Sequence, residues 1–345
     1  MKEVFEKISK VLPEFNEVLS RRNKILSVIK YNEPIGRRML STLTGLGERT
    51  IRNEIELLKQ SELVRVNNSG IYVTEEGIEI IEDLNEILSG VTGLSQLEEK
   101  LKIILDIENV IIVPGDSDED KLVLNDLGKA AAQYLMKKIK DDSKVALTGG
   151  YSVKALVDNL EGTSKYKNIS ILPARGGMGR IVEIQSNTLA ADLAKKLGGT
   201  YKLLYAPDSL SDTALEAMKN EKGIKEILEN IKHSDILIYG IGSAEDMAAR
   251  RDLNEDIKIN LKNLGAVGEA FGIYFDNKGN NIYSTSTIGV DYEDLDNIDN
   301  LIAIAGGKSK AQAILSVSRN RRRGTLITDQ RCAEEIIKIA CEDKE

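Results

Sequence analysis

Four glycine-bearing turns stand out, because glycine lets backbone N–H groups close round an anion and three of the turns have Arg or Lys beside them. Lys144-Val145-Ala146-Leu147-Thr148-Gly149-Gly150-Tyr151-Ser152 reads as a short apolar strand that stops at two glycines and opens into a helical pattern from Ser152 to Leu160. Pro173-Ala174-Arg175-Gly176-Gly177-Met178-Gly179 sets an arginine in a flexible turn, where a guanidinium grips phosphate through two parallel hydrogen bonds. Gly240-Ile241-Gly242-Ser243 precedes a short helix bearing Arg250 and Arg251, and Gly306-Gly307-Lys308-Ser309-Lys310 runs into another helix. Any one such turn is ordinary α/β punctuation, and each cation taken singly has surface carboxylates to pair with. Their convergence in a chain of net charge −8 points to an anion site.

Short apolar runs must position these turns: Val110 to Val113, Val145 to Leu147, Ile169 to Leu172, Leu203 to Ala206, Ile236 to Ile241, Ile302 to Ala305 and Leu326 to Ile327. They alternate with longer helical patterns, which predicts a mainly parallel sheet covered by helices over residues 91–345. In such sheets ligands collect at the carboxyl ends of the strands, where the glycine turns fall.

Residues 1–90 have another texture. Arg21 to Val73 holds ten Lys/Arg against five Glu, a basic module on an acidic body. Val4, Ile8, Val11, Phe15 and Val18 form a seam suited either to a short coiled coil or to an amphipathic helix packed on its own domain. A helix over Arg21 to Lys30 follows. A second starts at Pro34 with Ile35, Met39 and Leu43 on one face, and a third spans Glu48 to Gln60 with Ile51, Ile55 and Leu58 inward. Its outer face carries Arg49, Arg52, Asn53 and Glu56. Arg and Asn make paired hydrogen bonds to guanine and adenine edges, while Arg37 and Arg38 suit phosphates. Leu63 to Thr74 alternates round Asn67-Asn68-Ser69-Gly70, a hairpin. Three helices and a hairpin predict a winged helix-turn-helix reading duplex DNA, the plainer alternative being a small helical domain with a charged face. Thr74-Glu75-Glu76 caps one more helix, lined by Ile78, Ile81, Leu84, Leu88 and Val91, which is either a link between modules or a fourth helix of the first.

Other features set bounds. Met1 to Lys10 alternates charged with apolar residues, unlike a signal peptide, and no apolar run approaches a membrane span, so a cytoplasmic protein with no membrane partner is expected. Cys332 and Cys341 fall on opposite faces of a last helix and read as packed free thiols. His233, the single histidine, reads as structural at a helix C-terminus, and Arg319, Arg321, Arg322 and Arg323 as a solvated loop. No metal or cofactor is expected.

The chain resembles the SorC/DeoR family of sugar-responsive transcriptional regulators nearly end to end. The resemblance rests on Glu33-Pro34-Ile35-Gly36-Arg37-Arg38, Leu46-Gly47-Glu48-Arg49, Thr74-Glu75-Glu76-Gly77, Gly115-Asp116-Ser117-Asp118, Thr148-Gly149-Gly150, Pro173-Ala174-Arg175-Gly176-Gly177, Gly199-Thr200-Tyr201, Glu269-Ala270-Phe271-Gly272, Ala305-Gly306-Gly307 and Ser309-Lys310-Ala311. It implies a phosphosugar isomerase-like, Rossmann-type α/β effector domain behind the winged helix. It also implies a repressor of a glycolytic operon, released from double-stranded operator DNA by fructose 1,6-bisphosphate or a related sugar phosphate. The family's effector contacts fall on Gly149, Gly150, Tyr151, Ser152, Arg175, Gln185, Arg250, Glu269 and Lys310, with Tyr151 standing where threonine is usual. On this reading Glu269 accepts sugar hydroxyls, and the Gly149 loop with Arg175 forms one phosphate pocket and Arg250 with Lys310 the other. A homodimer or tetramer on a two-fold operator is expected. The alternative is an isomerase or deaminase-like enzyme with Glu269 as base. Enzymes of that type carry acids on their strand-end loops, whereas Tyr239-Gly240-Ile241-Gly242 has no carboxylate until Glu245.

Overall fold

Ile25, Leu26, Val28 and Ile29, each at most 1% exposed, fix the buried side of the first described helix, α1 (Glu14–Asn32). The structure, a computed structural model, describes residues 11–12, 14–81, 94–178, 181–207, 211–319 and 323–342, in two units divided at Ser95/Gln96. Helix α1 runs unbroken where two segments were expected, and Val4 and Ile8 of the N-terminal seam lie outside the described residues.

Two more helices follow, α2 (Arg37–Thr44) and α3 (Glu48–Gln60). Gly45 ends α2 in the left-handed conformation at φ 72°, its N–H bonded to Ser41 O. The second helix therefore starts at Arg37, three residues later than Pro34 suggests. Ile35 instead exchanges backbone hydrogen bonds with Ile71 of the hairpin, which satisfies both its N–H and its C=O. The later start also rotates the buried face, so Leu40 and Thr44 turn inward and Met39 is 55% exposed. The hairpin pairs β1 (Val64–Asn67) with β2 (Gly70–Val73), and Asn67 Oδ1 accepts from the N–H groups of Ser69 and Gly70 at its tip. Thr74 Oγ1 accepts from Gly77 N–H and so caps a helix described as far as residue 81. Leu84, Leu88 and Val91 of the expected link lie outside the described residues.

In the second unit α4 (Leu94–Leu105) leads to β3 (Asn109–Val113), α5 (Lys121–Lys138), β4 (Lys144–Leu147), α6 (Tyr151–Asn159), β5 (Ser170–Pro173), α7 (Ser186–Leu197) and β6 (Thr200–Tyr201). After α8 (Asp212–Asn220) and α9 (Lys222–Lys232) come β7 (Ile236–Gly240), β8 (Gly242–Ser243), α10 (Ala244–Arg250), α11 (Glu255–Asn263), β9 (Ala266–Ala270), β10 (Ile273–Asp276) and β11 (Asn281–Ser284). Then follow β12 (Asn300–Ile304), α12 (Ala311–Ser318), β13 (Thr325–Asp329) and α13 (Gln330–Glu342). Seven strands form a wholly parallel sheet in the order β3-β13-β12-β7-β4-β5-β6. Val145, Leu147, Ile236, Ile238, Ile302 and Ile304 of its central strands join α5, α6 and α7 in one apolar core.

Two features depart from the sequence reading. Leu203 to Ala206 is not a strand: Leu204 is fully buried, but its N–H and C=O bond to the Asn187 side-chain amide, which takes the place of a neighbouring strand. A second sheet, antiparallel β11-β10-β9-β8, springs from the end of β7 and was not foreseen.

Candidate functional site

Strand β4 hands the chain on to β5 on one side, while β7, its other neighbour, leads on to β12 on the far side. The order reverses between β4 and β7, and in open α/β sheets the crevice outside the strand ends at such a reversal is where ligands bind. The first loop is Thr148-Gly149-Gly150. Gly149 is pressed against the Ile184 carbonyl so closely that a Cβ would collide with it, and Gly150 N–H donates to the same carbonyl at 2.9 Å. Helix α6 then begins with no side-chain cap, so its N-terminus keeps the partial positive charge that favours an anion. Tyr151 is 45% exposed there and Ser152 9%.

The second loop feeds α10, whose last residue, Arg250, lays its guanidinium 5.5 Å from the centroid of the Tyr151 ring. Lys310 joins them. Burial and then the Arg250 charge hold its ammonium below the usual lysine range, with Asp118 pulling the other way. Neither Arg250 nor Lys310 makes an ion pair among the described residues. Two repelling cations thus face one another beside an uncapped helix N-terminus.

Arg175 and Glu269 sit deeper, at 6% and 3% exposure. Arg251, the neighbour of Arg250, turns the opposite way and donates from Nη2 to Glu269 Oε1 at 2.9 Å. Burial and then Arg251 push the Arg175 guanidinium down to about 9, against Glu269 and Asp291. The end of α10 therefore serves both cationic groups, one through each arginine. The Gly149 loop, expected beside Arg175, also places Tyr151 with Arg250, while Ser186, which packs against Gly149, donates from Oγ to Arg175 O at 2.6 Å. Glu269, expected to meet sugar hydroxyls, has Oε1 occupied by Arg251 and by the Gly272 N–H. Gln185 spends its amide on the glycine-rich turn, with Oε1 accepting from Met178 N–H and Nε2 donating to Met178 O.

The Gly306-Gly307 turn is no open anion cradle. Its Gly307 N–H donates to Asp329, and the N–H and Oγ of Ser309 donate to Asp118. A Cβ on Gly307 would strike the Asp118 carboxylate. The chain's own carboxylates fill this nest, and its Lys308 lies 3.5 Å from Glu335, so Lys310 alone carries the turn's contribution. His233 caps the end of α9, its Nδ1 2.8 Å from Glu229 O, as a structural residue does. Cys332 is buried but Cys341 is exposed, so only one thiol is packed. Arg323 donates to the carbonyls of Asp296 and Ile298, so it ties down a turn, and Arg321 and Arg322 lie outside the described residues.

On the first unit, Arg49, Arg52, Asn53 and Glu56 are all exposed along α3, as the helical periodicity predicts. Arg37 approaches Glu56 at 3.8 Å and Arg38 approaches Glu48 at 3.9 Å, weak surface pairs that leave Arg49 and Arg52 without an ion pair among the described residues. Glu54, on the same helix, is 5% exposed and accepts from Arg21 Nε at 2.9 Å and Arg22 Nε at 2.8 Å. Sequence reasoning missed it, though a glutamate between Ile51 and Leu58 on the inward face was a signal. Arg65, also exposed, lies over the Tyr72 ring at 5.1 Å on the hairpin.

Three helices and a hairpin with Arg49 and Arg52 exposed, followed by an α/β unit with Arg250 and Lys310 at its strand ends, are the make-up of a DNA-binding regulator with a ligand-binding domain. Residues 18–88 match the CggR N-terminal DNA binding domain family and residues 89–338 a sugar-binding domain family. The chain is 38% identical to the central glycolytic genes regulator of Bacillus subtilis over 98% of its length and 99% of that protein. It is 37% identical to the protein of the same name from Priestia megaterium, with the same coverage. Among solved structures, a SorC family transcriptional regulator from Enterococcus faecalis shares 36% identity and a TM-score of 0.65 over 70% of this chain and 99% of that one. The full-length sorbitol operon regulator SorC from Klebsiella pneumoniae, at 19% identity and TM-score 0.67 over 90% of this chain and 96% of that one, shares the fold. The chain belongs to the SorC/DeoR family of transcriptional regulators, in the branch of the central glycolytic genes regulators. These relatives are regulators rather than enzymes. No described helix is long and apolar enough to cross a membrane.

Proposed function

We propose that this chain is a repressor that holds the operator of a glycolytic operon through α3 and is released by a phosphorylated sugar, fructose 1,6-bisphosphate. The observation that carries the reading is the pair Arg250 and Lys310, which repel one another and make no ion pair among the described residues, and which an arriving phosphate would neutralise. Arg175, buried and repelled by Arg251, supplies a second cationic point for the other end of a bisphosphate. Gly149, Gly150, Tyr151 and Ser152 line the first phosphate, and Gln185 and Glu269 hold the second region in shape and meet the sugar between. Arg37 and Arg38 touch the DNA backbone while Arg49, Arg52 and Asn53 reach base edges. A dimer or tetramer on a two-fold operator follows from the pairing of half-sites, and such a regulator works in the cytoplasm.

Release by a ligand requires that the ligand bind the released arrangement more tightly, with coupling of about 1–3 kcal/mol. Heat denaturation with a panel of sugar phosphates tests the effector assignment. The bisphosphate should raise the midpoint most and fructose 6-phosphate less; a larger shift with the monophosphate would assign the site to that sugar instead.

A further inference from the structure

Arg250 is exposed, sits on the last residue of a seven-residue helix and is repelled by Lys310, so nothing in its own element keeps the guanidinium near the crevice. Tyr151, at the position where the family resemblance implies a threonine, puts its ring 5.5 Å from the Arg250 guanidinium. We infer that Tyr151 is a positioning residue whose ring, not its hydroxyl, holds Arg250 against the repulsion of Lys310 and so keeps both cations aimed at one phosphate. The inference rests on the sugar-phosphate reading above and adds to it the source of the site's preorganisation.

A threonine offers a phosphate one hydroxyl and offers an arginine no face. A tyrosine in the first turn of α6 keeps a hydroxyl and adds an aromatic face. Its ring presents negative electrostatic potential to the guanidinium, an attraction that survives partial exposure and is not satisfied by any aliphatic side chain. The stack removes rotamer freedom from a long side chain before the ligand arrives, so less entropy is lost when the phosphate binds. Being 45% exposed, Tyr151 can be changed without opening the core.

The test is a double-variant titration of the full chain with fructose 1,6-bisphosphate by calorimetry, in wild type, Tyr151→Leu, Tyr151→Phe, Arg250→Ala and Tyr151→Leu/Arg250→Ala. Tyr151→Leu should weaken binding by about two- to fivefold, the scale of an exposed cation–π contact. Tyr151→Phe should restore the loss, and the leucine change should cost nothing further once Arg250 is alanine. The inference is overturned if leucine binds as tightly as tyrosine, if phenylalanine is as weak as leucine, or if leucine weakens the Arg250→Ala protein equally. A wild type that binds no bisphosphate would overturn the effector assignment itself, a result separable from the others because it needs no variant.

Discussion

Arg251 and Glu269 meet at 2.9 Å with side chains 4% and 3% exposed, next to a second buried arginine, Arg175. A pair this dry is worth little as such, but removing one partner strands the other charge. Glu269→Ala should therefore destabilise the sugar-binding unit by about 3–5 kcal/mol in urea unfolding. A cost below about 1 kcal/mol would mean that water or another carboxylate reaches Arg251.

The DNA-binding unit contains a comparable anchor. Glu54 lies between Arg21 and Arg22, which are 27% and 38% exposed, so water screens part of the interaction. Glu54→Gln should lower stability by about 1–2 kcal/mol and loosen α3 against α1. Thermal unfolding of the variant checks this, and an unchanged midpoint would contradict it.

Base reading should be separable from both anchors. Arg52→Ala should weaken operator binding by about 1–3 kcal/mol and relax discrimination against a substituted operator. Competition gel shifts with both DNAs measure the two effects. Equal loss on both sequences would make Arg52 a phosphate contact.

The pH dependence of ligand binding has a definite sign. Lys310 has its pKa depressed by burial and by Arg250, so it surrenders its proton earlier than an exposed lysine would, and burial and Arg251 push Arg175 down to about 9. Affinity for a sugar phosphate should fall as pH rises above neutral, with the fall beginning below the pH at which an ordinary lysine, at about 10.4, would titrate. Lys310→Arg should move the fall upward. Titrations from pH 7 to 10 would contradict this if the two proteins lost affinity in parallel.

Much of this architecture was legible in the sequence because it follows from periodicity. The faces of α3 obey the 3.6-residue repeat, and six of the seven apolar runs became strands of the parallel sheet. What stayed hidden depends on partners distant in sequence. Leu203 to Ala206 carries strand-like residues, yet Asn187 satisfies the backbone of Leu204, so no strand is required. The Gly306-Gly307 turn has the composition of an anion cradle, but Asp118 and Asp329 arrive from other strand ends to fill it. Arg250 and Arg251 are adjacent and identical, and only the packing of α10 against β8 and β9 sends one to Tyr151 and the other to Glu269. The second sheet was missed because Ala266 to Ala270 and Asn281 to Ser284 are short and only partly apolar.

Operator affinity measured by fluorescence anisotropy, with and without saturating fructose 1,6-bisphosphate, in wild type and in Arg250→Ala/Lys310→Ala tests the link between the two units most directly. The wild type should lose about 5- to 150-fold in affinity when the sugar is added. The double variant should hold the operator as tightly as wild type and ignore the sugar. A wild type indifferent to the bisphosphate, or a double variant that responds to it equally, would contradict the account.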